Sequence, residues 1–265
     1  VAIARKELTV YLTTPLAWVV FTAMSFITSM FFLALLLSFA QVHDLVRQMP
    51  GGWSQMPADY QAFRNLTDGV VVNLWGVVLV VTLFVAPFLS MRLFAEERRQ
   101  KTLELLMTTP IRPIEIVLGK YLGGLGIISC TLSVTLVFPV ILAVIGRSES
   151  GSALEWSTVL LGFAGLLLWG AANMAIGLFI SSLTDSQMVA ALVSFAVAMG
   201  WMLVKSLAPG AEEPVRSILN YLSFDGQLQN LLKGVLDLRP VVFFSSIIAL
   251  FLLLTHRSVE AQRWT

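Results

Sequence analysis

The chain has 265 residues, 57% of them hydrophobic and only 12% charged, with a formal net charge of +1 and a mean hydropathy of +0.83. This is the composition of a membrane protein and excludes an ordinary soluble domain. The single cysteine, Cys130, cannot form an internal disulfide, so the redox compartment is not legible.

Residues 1–14 mix Arg5, Lys6 and Glu7 with Ile3, Leu8, Val10 and Tyr11, and read as a short interfacial helix on the cytoplasmic membrane surface. Thr14 can cap the next helix, with Pro15 at its first position. The first span is expected over Leu16–Ala40. That run is too long for the core of a cleaved signal peptide, and none is expected. Residues 41–69 form a polar loop broken by Pro50, Gly51, Gly52 and Pro57, with Trp53, Tyr60 and Phe63 suited to the membrane–water interface. The second span is Val70–Phe94, where Pro87 should bend the helix or free a backbone carbonyl.

Met91 to Lys120 is the one long, densely charged stretch between two apolar runs. Its charges belong outside the lipid. Glu97 precedes Lys101 by four residues, the favourable order for a helical ion pair. Leu103, Leu106 and Met107 share a face opposite Arg98 and Lys101. Thr109-Pro110 should stop this helix, and Arg112-Pro113 should start the next. Two readings stand side by side: a solvated connector, or a docking helix for a soluble partner.

The third span is Ile116–Ile145, long enough for its start to stand in the cytoplasm. Gly119 and Gly123 have GxxxG spacing, with Gly124 and Gly126 following, so a helix can approach closely there. Pro139 should kink its outer half. The fourth span, Trp156–Ser181, carries Asn173, which either bonds a neighbouring helix or lines a substrate path. Thr184 and Gln187 have capping-box spacing for the fifth span, Gln187–Leu207, where Lys205 can snorkel outward. In residues 208–240, Pro214–Tyr221 can form a short helix, and Leu228, Leu231, Leu232 and Val235 make one apolar face. That region reads as an amphipathic extracytoplasmic hairpin resting on or dipping into the outer leaflet. The sixth span is Val241–Thr255, followed by a charged tail.

The fold class is therefore all-α integral membrane: one transmembrane domain over 1–265, six helices, an interfacial helix at 1–15, a cytoplasmic helix and turn at 95–112, and helices at 208–240 outside. Six spans place both termini on one side. That side holds Arg5, Lys6, Arg92, Arg98, Arg99, Lys101, Arg112, Lys120, Arg257 and Arg263. The other holds Arg47, Arg64, Arg147, Lys205, Arg216, Lys233 and Arg239. The excess puts the termini in the cytoplasm.

Several chemistries lack their residues. No GxxxxGK[ST] loop can cradle a nucleotide. His43 and His256 are the only histidines and fall on opposite sides of the membrane, and no HExxH or Cys/His cluster exists, so no metal site is expected. No GxSxG occurs, no catalytic residue is expected, and the chain is read as not an enzyme. The spans carry no chain of Asp or Glu for proton- or sodium-coupled transport, so energy would come from outside the chain.

Residues 87–111, PFLSMRLFAEERRQKTLELLMTTPI, with Ile116–Tyr121, resemble the signature of ABC-2 type transporter permeases, and Gly177–Gln187 resembles that family's turn between spans four and five. Gly234–Phe244 resembles, more narrowly, the branch that contains gliding-motility permeases and the permease for nitrous oxide reductase maturation. Pro240 departs from that branch, which often has an acidic residue there. The resemblance implies a cell-membrane permease that pairs with a second permease chain, a copy or a paralogue, and with two cytoplasmic ATPases that carry ATP and Mg. It implies no cofactor on this chain and no nucleic-acid partner, and leaves room for an extracytoplasmic accessory protein. By the same resemblance, Glu96, Glu97, Arg98, Thr102, Leu103, Glu104, Leu106, Met107, Thr109 and Pro110 are coupling positions. Two function classes follow. One is the permease of an ATP-driven exporter. The other is a non-transporting anchor that passes ATPase-driven movement to an extracytoplasmic partner.

Overall fold

The protein is described here by a computed structural model over residues 2–102, 112–145, 154–210 and 212–261, and every regular element among them is helical. Helix α1 (Ala2–Thr13) ends where the chain turns into α2 (Pro15–Gln48). Thr14 is the N-cap residue, with Pro15 behind it, but its hydroxyl donates back to Val10 O instead of accepting from α2. With 34 residues, α2 is about 51 Å long, well beyond a hydrocarbon core of about 30 Å. It overruns the expected end at Ala40, because nothing between Gln41 and Gln48 breaks a helix and Pro50-Gly51 is the first stop. Two 3-10 turns, Gly52–Gln55 and Ala58–Arg64, then fold back on it. His43 Nε2 lies 3.0 Å from Phe63 O, between the rings of Phe39 and Trp53.

A π-helical turn, Thr67–Val72, leads into α3 (Asn73–Ser90) and then α4 (Arg92–Arg99). Pro87 sits inside α3 without ending it; the break falls one turn later, at Met91. Helix α5 (Pro113–Ser133) starts on Arg112 and Pro113 with a capping box that includes Glu115. A 3-10 turn at Val134–Leu136 separates it from α6 (Val137–Ile145). In place of a kink at Pro139, the helix passes through this 3-10 turn just before it, where the missing proline N–H leaves the preceding turn without its helical bond.

Next come α7 (Trp156–Leu183), α8 (Gln187–Met202) and the short α9 (Val204–Leu207). Ser186 caps α8 by accepting from Val189 N, in place of the expected Thr184–Gln187 box. Helices α10 (Val215–Leu222) and α11 (Phe224–Leu232) precede α12 (Leu238–Ala261). Among the described residues, five segments are long and apolar enough to cross a membrane, and a sixth is counted if α8 and Val204–Gly210 form one span bent by 41°.

Helix α7 is the axis of the bundle and packs against α3, α4, α5, α8, α11 and α12. In its most apolar stretch 67% is buried, against 22% for α2 and 28% for α12. Small residues permit this crowding. A Cβ on Gly162 would meet the Trp75 ring, and one on Gly177 would meet Ser90. Trp169 Nε1 donates to Leu79 O on α3 at 3.1 Å. At the end far from α1, Leu228 and Leu231 of α11 lie against Gly165, and Phe224 is ringed by Trp169, Trp201, Phe243 and Phe244. The apolar face of α11 is therefore core, except for Val235. That residue is exposed because the helix ends at Lys233 and Gly234 turns the chain with a φ of 79°.

Candidate functional site

The α1 end of the bundle holds a network of ion pairs that links several helices. Helix α1 packs along α5, and the spacing of three small residues explains how closely. Gly119 faces Ile3, Gly123 faces Glu7, and Gly126 faces Leu8; a Cβ at these positions would come within 2.8, 2.6 and 2.8 Å of those side chains. The partner of the Gly119–Gly123 stripe is thus the short helix α1.

That approach buries a set of ions. Lys120 Nζ is 3.0 Å from Glu7 Oε1 and 2.9 Å from Glu97 Oε1, and the lysine side chain is only 1% exposed. It also lies 5.2 Å from the centre of the Phe94 ring. Lys6 reaches the same Glu97 oxygen from the solvent side at 3.4 Å. Burying a lone ammonium is prohibitive, whereas two carboxylates and an aromatic face make it tolerable. Glu97 therefore does not pair with Lys101 as expected. Lys101 lies past the end of α4 with a φ of 55°, off the helical path that an i,i+4 pair requires.

Tyr11 closes the inner side of this cluster. Its hydroxyl donates to Leu89 O at the end of α3. Burial, with Glu7 adding to it, pushes the phenol well above the ordinary tyrosine range, so it remains a donor.

A second junction holds α4 to α7. Ser181 Oγ accepts from Phe94 N and Ala95 N at 3.1 and 3.0 Å and donates to Met91 O at 2.9 Å. These are the backbone groups that the α3–α4 break leaves without regular helical partners. One hydroxyl therefore satisfies the bend. Arg98 adds a link: its Nε meets Asp185 Oδ1 at 2.7 Å and its Nη1 donates to Ser182 O at 2.7 Å. Glu96 is held locally by Arg92 at 2.8 Å, and Thr102 Oγ1 donates to Glu97 O at 3.3 Å.

Of the expected coupling positions, Glu96, Glu97, Arg98 and Thr102 come together here. Leu103, Glu104, Leu106, Met107, Thr109 and Pro110 lie outside the described residues. Asn173 lies apart, on α7. Its Nδ2 donates to Trp169 O within its own helix, not to a neighbour, and its Oδ1 has no partner among the described residues. Glu7, Tyr11, Lys120, Ser181 and Asp185 belong to the site but were not singled out for it from sequence. A signal existed for two of them: Ile3, Glu7 and Tyr11 recur at every fourth residue of α1, so a carboxylate shares a face with two apolar side chains. Among the described residues, no group of three or more His, Cys, Asp and Glu is arranged to hold a metal ion. The arrangement is a mechanical joint: it fastens α1, α4 and α5 to each other and α4 to the turn after α7.

Comparison with known proteins places this joint in a context. The profile of the family described as "ABC-2 family transporter protein" matches residues 1–259. The chain is also similar to the ABC transporter permease protein NatB of Bacillus subtilis (strain 168), with 24% identity over 191 residues, 66% of this chain. The matched stretch spans 49% of that relative, about half its length.

Proposed function

The chain belongs to the ABC-2 family of transporter proteins, and on that premise we propose that it is the membrane permease subunit of an ATP-driven transporter. It is a multi-pass membrane protein; the cell membrane is its proposed location, with both termini in the cytoplasm. ATP is hydrolysed on separate cytoplasmic ATPase subunits, which also carry the Mg, and a second permease chain completes the complex. The substrate moves outward in this reading. The similarity of Gly234–Phe244 to the gliding-motility and nitrous-oxide-reductase-maturation branch suggests the nearer relatives within the family.

The observation that carries the reading is the buried Lys120 held by Glu7 of α1 and Glu97 of α4. Through it, a push on α4 and the stretch after it is carried directly to α1 and to the root of α5. Charged groups of one helix are seldom buried against two others unless their relative position matters, because an apolar cluster of equal volume would be at least as stable.

The test uses the full chain expressed with its ATPase. Leu103→Asp with Leu106→Asp places two charges on the apolar stripe that follows α4. The double variant should insert normally, lose the ATPase on purification in mild detergent, and lose ATP-dependent function. Wild-type ATPase stoichiometry in the double variant would remove this stretch as the docking surface.

A further inference from the structure

Asn173 lies on α7 with 4% of its surface exposed, and its amide is poorly used. Its Nδ2 donates to Trp169 O at 2.9 Å, a carbonyl that the α7 ladder already supplies with the backbone N–H of Asn173 itself. Its Oδ1 has no partner among the described residues. Ser194 of α8, 2% exposed, is in a similar position: its Oγ also has no partner among those residues. An orphaned buried polar group costs free energy in the conformation that shows it, so two such groups on adjoining helices need a physical reason.

The register of α7 on α3 fixes what Asn173 faces. Trp169, Asn173, Gly177 and Ser181 follow at every fourth residue and share one face of α7. Along that face, Trp169 donates to Leu79 O, Gly177 packs on Ser90, and Ser181 donates to Met91 O. Asn173 therefore meets α3 between Leu79 and Ser90. This stretch contains Pro87, which has no N–H to give the carbonyl of Leu83. Leu83 is buried, so bulk water does not reach that carbonyl. A donor without a needed acceptor on α7 thus stands level with an acceptor on α3 that has lost its helical donor. The side chains around them are small: Ala86 and Ser90 on α3, and Ser194, whose Oγ is 3.7 Å from the place a Gly177 Cβ would take. A gap in the helical ladder beside small neighbours is where a helix bends.

We propose that Asn173 is a positioning residue for movement of α3: its amide rests on its own helix in this conformation, and in a second one, with α3 bent at Pro87, its Nδ2 donates across to Leu83 O. The exchange of one acceptor for another gives α3 two discrete positions on α7. Because α3 runs into α4 at Met91, the bend also moves the helix that carries Glu97. The proposal rests on the reading of the chain as an ATP-driven permease, which supplies what drives the bend.

The experiment uses the purified full chain, alone and with its ATPase and a non-hydrolysable ATP analogue. Asn173→Leu is close in shape and removes the amide. In the chain alone it should leave the unfolding temperature unchanged or raise it, since it removes an orphaned group and no needed bond. In the wild-type complex the analogue should change amide hydrogen exchange over Phe88, Leu89, Ser90 and Met91. In Asn173→Leu that response should be lost with the ATPase still bound. Pro87→Ala gives Leu83 O a helical N–H of its own and should abolish the same response, and adding Asn173→Leu to it should change nothing more. A lower unfolding temperature in Asn173→Leu would mean that the amide is already needed where it lies, and would overturn the proposal. An unaltered response in either variant, or a wild-type complex whose exchange in this stretch ignores the analogue, would do the same. If the wild-type chain binds no ATPase, it is the proposed function that fails, and the sign of the unfolding shift still decides whether the amide is free to exchange partners. If Asn173→Leu does not fold, Asn173→Ala and Pro87→Ala read the same response without its bulk.

Discussion

Lys120 of α5 holds Glu97 of α4 at 2.9 Å while it holds Glu7 of α1 at 3.0 Å, so one buried ammonium joins three helices distant in sequence. Each contact depends on the others. Lys120, at 1% exposure, would be a buried ammonium without a counter-charge if the carboxylates were absent, and Glu7, 10% exposed, would otherwise be an unpaired carboxylate.

The first prediction follows from that dependence. Lys120→Met keeps an apolar stem one atom shorter and removes the charge, leaving two carboxylates without their shared cation. Breaking a buried pair costs about 3–5 kcal/mol, and the lower end applies because Glu97 keeps 16% of its side chain exposed. Thermal unfolding of the purified chain should show a clear loss of stability. Adding Glu7→Gln and Glu97→Gln should recover most of it. If the triple variant is no more stable than Lys120→Met, the packing of the lysine stem, and not its charge, is what matters.

The second concerns the bend at Met91. Ser181→Ala removes the acceptor for Phe94 N and Ala95 N and the donor to Met91 O. A buried polar group left unsatisfied costs about 1–3 kcal/mol, and three groups lose their partner at once. Amide hydrogen exchange at Phe94 and Ala95 should speed up selectively, with little change in α3 before Pro87. Uniform acceleration across α3 and α4 would mean that Ser181 stabilises the bundle generally and has no special part in the bend.

Much of this architecture is legible in the sequence, because hydropathy fixes where spans lie. The helix start at Arg112-Pro113 is local chemistry and can be read from three residues. The joint itself is less legible. Glu97 sits four residues before Lys101, which suggests a local pair, but the chain leaves the helix at Lys101, and the partner that wins is Lys120, more distant in sequence. Long-range ion pairs have no periodic signature. The same limit applies to the Gly119–Gly123 stripe. Its spacing announces a close helix, but not that the helix is α1. The face of α11 was equally visible, whereas its burial against Gly165 of α7 depends on the tertiary fold.

The third prediction is topological. Single cysteines at Ser54 and Gln100, each in a Cys130→Ser background, should react from opposite sides of the membrane, because α2 carries the chain away from α1 to Ser54 and α3 with α4 brings it back to Gln100. In intact cells an impermeant maleimide should label Ser54→Cys and spare Gln100→Cys. Labelling at both positions would overturn the arrangement of two sides proposed here.

The last prediction compares adjacent glycines. A Cβ on Gly123 would fall 2.6 Å from Glu7 Cβ, an atom fixed to the backbone of α1, so the new methyl can be accommodated only by moving α1. A Cβ on Gly124 would fall 2.5 Å from Met174 Cε, the far end of a flexible side chain that can turn aside, although Leu93 Cδ1 at 3.2 Å limits the room. Overpacking of a rigid contact costs about 1–3 kcal/mol. Gly123→Ala should therefore lower the unfolding temperature and also loosen the Lys120–Glu7 contact, because α1 carries Glu7 away with it. Gly124→Ala should stay near wild type. The link between packing and charge can be read separately by combining Gly123→Ala with Lys120→Met. If α1 has already been displaced, the second substitution should add less than it does alone, a coupling of the kind that a double-mutant cycle measures. Strict additivity would mean that the glycine stripe and the ion cluster hold α1 independently.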